Sequence, residues 1–101
     1  MKISETYKYV TVINGKIVCR VYIRKFMNKD EVELFRLHTS KAYRRKGYAT
    51  KLVDLVCLLY QLSPIKLRVG GNEEINSNDL MNFYSTFGFV RVGESKTMIK
   101  Q

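Results

Sequence analysis

The chain has 101 residues, 46% of them hydrophobic, with seven Tyr and five Phe, enough for one folded domain with an adequate core and too apolar for a disordered segment. Eighteen Lys and Arg against nine Asp and Glu leave a net charge of +9, which points to an anionic ligand or partner. One His, two Cys and no C-x-x-C pair speak against a metal centre.

In chain order, residues 8–13 alternate and are rich in β-branched and aromatic types, predicting a strand. Asn14-Gly15 follows, the dipeptide that best suits a two-residue hairpin because both positions need positive φ. The partner strand is expected over 16–24 and a polar connection over 25–30. A third strand spans 32–39. A helix over 47–62 is marked by Ala49, Leu52, Val53, Val56, Leu59 and Tyr60 at helical spacing, and Pro64 ends it. A short strand over 65–69 should lie parallel to the third through a right-handed crossover. Gly70-Gly71-Asn72 reads as a loop. Ser77 or Asn76 can cap a helix over 78–87, with Asp79 favourably near its positive end and Gly88 as the stop. Strands over 89–92 and 96–99 close the chain. The order β-β-β-α-β-α-β-β predicts an α+β fold with a mixed sheet, a single domain over residues 1–101, and no repeats or linkers.

Bulk features narrow the setting. The sequence opens Met-Lys-Ile-Ser-Glu with no apolar run resembling a signal peptide, and nothing approaches the roughly 18–20 apolar residues that cross a bilayer. Cys19 and Cys57 are expected to be free thiols in a cytoplasmic protein. Leu55, Leu58 and Leu62 form a second apolar stripe on the long helix, to be covered by a second subunit or by residues 1–6.

Residues 37–50 (LHTSKAYRRKGYAT) carry the most chemistry. They read as a strand end, a basic turn and the first turn of a helix. N–H groups at a helix N-terminus have no partner inside the helix and carry partial positive charge. Gly47 and Ala49 leave them open to approach, while Arg44, Arg45 and Lys46 add full charge, a setting for phosphate or pyrophosphate. The plainer alternative is a basic, solvated helix end. The spacing fits neither a P-loop nor a dinucleotide-binding loop.

A second element, Asn82-Phe83-Tyr84-Ser85-Thr86-Phe87-Gly88-Phe89, is a helix ending at Gly88 and running into a strand. Together, Arg44-x-x-Gly47-x-Ala49 and Tyr84-x-x-x-Gly88-Phe89 resemble the Gln/Arg-x-x-Gly-x-Gly/Ala and Tyr-x-x-x-Gly-Phe elements of the GCN5-related N-acetyltransferases, over about the last two-thirds of the chain. The resemblance implies a sheet splayed between its third and fourth strands and acetyl-CoA as cofactor. Its pyrophosphate would be held by Arg44, Arg45, Lys46, Gly47, Tyr48, Ala49 and Thr50, and its thioester and pantetheine arm by backbone at Leu37, His38 and Thr39. Tyr84 would be the general acid facing the sulfur; the structural alternative is a helix tyrosine packed on the sheet. Family members usually carry two helices between their first two strands. Here Asn14-Gly15 leaves no room for them, so a minimal member with an open acceptor side is expected, suited to a protein or other large amine.

Transfer to an amine needs a base, because an amine such as lysine, with pKa about 10.4, is mostly protonated at neutral pH. Glu33, eleven residues before Arg44, resembles the glutamate of the histone acetyltransferase branch and sits among Leu34, Phe35 and Leu37, where a carboxylate is a better base. Its structural alternative is an ion pair with Arg20 or Arg36. His38 is the rival, since histidine needs little tuning for proton transfer, and ordered water is the third possibility. The competing class is a non-catalytic basic module holding coenzyme A or nucleic acid, although coenzyme A already accounts for the basic run over 41–51.

Overall fold

The computed structural model describes residues 4–70 and 76–101. Asn14 and Gly15 have φ of 50° and 78°, the left-handed pair a primed hairpin turn needs. They join β1 (Ser4–Ile13) to β2 (Lys16–Phe26). Both strands run beyond the expected limits because the antiparallel ladder continues to Ser4↔Phe26. β3 (Val32–Thr39) follows as expected. A 3₁₀ turn at Lys41–Tyr43 leads into α1 (Tyr48–Leu59), then come β4 (Ile65–Arg68), α2 (Ser77–Ser85), β5 (Val90–Arg91) and β6 (Thr97–Lys100).

Both helices are shorter than the sequence suggests. Tyr60 departs from helical geometry, with φ of −114° and ψ of 30°, and Ser63 N–H donates to its carbonyl, so the chain turns before Pro64. On α2 the Asn76 side chain accepts from Asn78 N–H at 2.7 Å, settling which residue caps it. Gly88, at φ 97°, completes the turn that ends it. The expected loop at Gly71-Asn72 lies outside the described residues, as does Met1–Ile3 of the segment expected to cover α1; Ser4–Thr6 belong to β1.

The six strands lie in the order β1-β2-β3-β4-β6-β5, and β3 and β4 are parallel. This is the mixed α+β architecture that the element order predicts. Alternation along the strands sorts their side chains onto two faces. Val21, Ile23, Val32, Leu34, Ile65, Leu67 and Met98 point to the side of α1 and are buried with Leu52, Val53 and Val56 of the helix. Tyr84 of α2 joins the same cluster. The opposite face carries Lys8, Arg20, Tyr22, Arg24, Glu33, Phe35, Lys66 and Ile99, which pair across neighbouring strands. All of these are exposed or half-buried, and no described helix covers them. The two helices that the resemblance places between the first strands are indeed missing.

Leu59, expected on the sheet-facing stripe, is exposed instead. It joins Leu55 and Leu58 on the outer side of α1; Leu62, expected on the same helix, lies in the turn after it and is 91% exposed. Helical geometry explains this: Leu59 lies about 60° from Val56 around the axis, toward the outer stripe. Among the described residues no helix is long and apolar enough to cross a membrane.

Candidate active site

The parallel ladder between β3 and β4 ends at Leu34↔Leu67, although β3 runs on to Thr39. Just beyond that point the pairing of β3 with β2 slips by one residue, so that Arg36 and Leu37 together oppose Val21. Arg36 takes φ of 53°, a left-handed conformation uncommon in a residue with a side chain. Such a bulge bends its strand. Meanwhile Val69 N–H donates to Lys96 O at 2.8 Å, holding the other wall toward β6. The strands diverge and open a cleft of about 1000 Å³ lined by β3, the basic turn, the start of α1, the end of β4 and α2.

The ladder decides which backbone groups serve the cleft. Ser40 N–H donates to Val18 O at 2.8 Å on the β2 side. Alternation therefore turns the N–H of His38 toward β2 and those of Leu37 and Thr39 toward the cleft. His38 is exposed and is among the residues that line the cleft.

At the other end, Gly47 is the N-cap of α1 with φ of 83°, and neither a side-chain cap nor an acidic residue occupies the first turn. Its carbonyl accepts from Lys51 N–H at 3.0 Å. The first helical N–H groups, from Tyr48 on, thus remain available to a ligand. A Cβ built on Gly47 would meet nothing within 4 Å. Arg44 Nε donates to Thr39 O at 3.2 Å, tying the turn to the strand end, and the Tyr43 and Tyr48 rings pack at 6.1 Å beside it. Arg44, Arg45, Gly47, Tyr48, Ala49 and Thr50 all line the cleft. Lys46 is exposed on the same turn without lining it. This donor set fits a pyrophosphate.

Tyr84 reaches the cleft from α2 and is only 6% exposed. Phe83 and Phe89 pack edge-on against its ring at 5.2 and 5.8 Å. Burial pushes its phenol up to about 12, so the hydroxyl keeps its proton across the neutral range. No hydrogen bond ties that hydroxyl to another described residue.

Glu33 is not brought to the cleft. The residues beside it in the chain are apolar, but alternation points its side chain to the opposite face of the sheet. There its Oε1 accepts from Arg24 Nη1 at 2.9 Å, a partner other than the expected Arg20 or Arg36. Several cleft residues escape sequence reading, among them Phe35, Arg36, Arg68, Val69, Leu80 and Phe83. The Phe83 position beside Tyr84 hints at proximity; nothing in the sequence marks Arg36 as a bulge.

A family model described as an acetyltransferase (GNAT) domain matches residues 5–91. The chain belongs to that family. Among curated proteins none matches it. Solved structures share the GNAT fold at low identity. The anti-CRISPR protein AcrVA5 is 19% identical with a TM-score of 0.73, over 95% of this chain and 98% of that one. Escherichia coli ElaA is 19% identical with a TM-score of 0.76, over 95% and 68%. A PaiA N-acetyltransferase from Thermoplasma acidophilum, solved in complex with coenzyme A, is 17% identical with a TM-score of 0.75. The GNAT chain described here covers 95% of its own length in that match but 60% of the Thermoplasma protein. Membership makes acyl transfer its general chemistry.

Proposed function

We propose that this GNAT protein is an acetyl-CoA-dependent N-acetyltransferase acting on a primary amine of a protein or other large acceptor, with residues 1–101 forming the catalytic domain. One observation carries the reading: a single cleft has an uncapped, basic helix N-terminus at one end and the protonated, unbonded phenol of Tyr84 at the other. A module that only binds would have no use for that acid. The bare sheet face beside the cleft favours a large acceptor over a small amine enclosed in a pocket.

Bound acetyl-CoA would supply the thioester that is attacked. Tyr48, Ala49 and Thr50 donate backbone N–H groups to its pyrophosphate, with Arg44, Arg45 and Lys46 adding charge. Leu37 and Thr39 direct their N–H groups at the thioester carbonyl and pantetheine arm, where they stabilise negative charge growing on oxygen. Tyr84 protonates the departing sulfur. His38, exposed at the divergence point, takes the amine proton directly or through water. Glu33, turned away and paired with Arg24, is not assigned this role. The free thiols Cys19 and Cys57 suit a cytoplasmic setting.

Calorimetry and thermal unfolding with acetyl-CoA test the reading. At 100 times its dissociation constant the cofactor should add about 2.7 kcal/mol of stability, a rise in Tm on the order of 10 °C for a domain this small. No shift with acetyl-CoA but a shift with an oligonucleotide would favour the non-catalytic module. The base is tested by His38→Ala, which should slow acetyl transfer while acetyl-CoA affinity stays constant. An unchanged rate in that variant assigns the proton to water. Leu55 and Leu58 of α1 and Leu62 in the turn after it fit a homodimer, which sedimentation would detect and Leu58→Glu should disperse.

A further inference from the structure

The uncovered face of the sheet has a composition that selects a partner. Row by row it sets aromatic rings beside cations. Tyr22 and Phe35 are cross-strand neighbours with ring centroids 5.6 Å apart. The Arg24 guanidinium lies over Phe35 at 4.6 Å, and Lys8 Nζ lies 5.8 Å from the Tyr22 ring. The acids are already engaged, Glu33 by Arg24 at 2.9 Å and Glu31 by Lys66 at 3.5 Å. Lys8 and Arg20 are exposed and have no acidic partner among the described residues.

This face runs without a break into the cleft. Arg20 pairs across the ladder with His38, and both His38 and Phe35 line the cleft wall. A segment lying along β2 and β3 would therefore deliver a side chain to the site of transfer. We propose that the face docks the acceptor, and that the acceptor is a protein segment whose target lysine is flanked by Asp and Glu. The inference rests on the acetyltransferase reading above.

Two physical points favour an acidic peptide over a nucleic acid. Sequence-tolerant binding of single strands uses open aromatic faces on which bases stack. Here the rings are covered by the protein's own cations, which hold those cations in place. Of the two cations left without an acidic partner, Arg20 carries the guanidinium fork that pairs with both oxygens of a carboxylate. The unpaired charge also steers association with an acidic partner and weakens as salt rises.

The test compares peptides of equal length with one lysine flanked by Glu and Asp, by Ser and Gly, or by Arg. Acetylation is followed by mass spectrometry and direct binding by fluorescence anisotropy. The acidic peptide should show kcat/KM at least about tenfold above the neutral one, the ratio that 1.4 kcal/mol produces, and the gap should shrink with salt. The double variant Lys8→Glu, Arg20→Glu should erase the preference through KM and keep its acetyl-CoA affinity. Arg20→Gln provides a milder variant if the double one unfolds. Equal binding of the three peptides, a preference for the basic one, or tight oligonucleotide binding with none to the acidic peptide overturns the proposal. Failure to bind acetyl-CoA would remove the acetyltransferase reading instead, and the anisotropy arm would still decide what the face binds.

Discussion

Tyr84→Phe is expected to lower turnover by roughly 10²-fold, the contribution a positioned general acid makes, with acetyl-CoA affinity nearly unchanged. The substitution keeps the ring that packs between Phe83 and Phe89 and deletes only the hydroxyl. Single-turnover acetyl transfer and calorimetry, run side by side, check the two halves of the statement. Equal rates in the two proteins would leave Tyr84 as a packing residue. The raised phenol adds an independent signature in stability. Its pKa rises from 10.0 in the unfolded chain to about 12 in the fold, because burial penalises the phenolate. The native state thus holds the proton more tightly. That contribution is complete below pH 10 and is lost as the pH rises from 10 to about 12. Denaturant titrations across this window should show a decline that Tyr84→Phe makes shallower. Tyr60, also raised by burial and by its hydrogen bond with Tyr9, adds a loss that begins in the same window and runs beyond it in both proteins, so the variant lessens the decline without removing it.

Gly47→Asp should abolish measurable acetyl-CoA binding and leave a folded protein. The backbone there sits at φ 83°, and an added Cβ meets no protein atom, so the cost to the fold is the strain of a left-handed residue, about 1–2 kcal/mol. The cost to binding is greater. The carboxylate would compete for the N–H groups at the start of α1 and would repel phosphate oxygens. Gly47→Ala separates these effects, since it carries the strain without the charge and should weaken binding far less. Circular dichroism confirms the fold and calorimetry reads the affinity. An Asp variant with parental affinity would move the cofactor elsewhere on the protein.

Much of this architecture is written in short stretches of chain. Asn14-Gly15 can form a tight hairpin wherever it lies, because its two residues tolerate positive φ at little cost. The same local logic ends α2 at Gly88 and makes the turn from Arg44 to Gly47 a phosphate-binding candidate, since the unpaired N–H groups and nearby cations come from consecutive residues. Tyr84 is singled out by the resemblance of Tyr84-x-x-x-Gly88-Phe89 to the family element, again a pattern of nearby residues. These features need no knowledge of what lies across the sheet.

Other features were decided by partners far away in the chain. The Arg36 bulge exists because β2 and β3 pair out of step around Val21, and no residue type at that position announces it. The bulge and the early end of the β3–β4 ladder make the cleft, so the sequence alone could name its loop, residues 37–39 and Tyr84 but not Phe35, Arg36, Arg68 or Val69. Glu33 shows the same limit from the other side. Apolar neighbours in sequence suggested a desolvated base, but strand alternation sends the adjacent Val32 and Leu34 and the carboxylate to opposite faces, and β2 supplies Arg24 to pair with it. Local chemistry set which groups could bind phosphate or give up a proton; register between strands set which of them share a cavity.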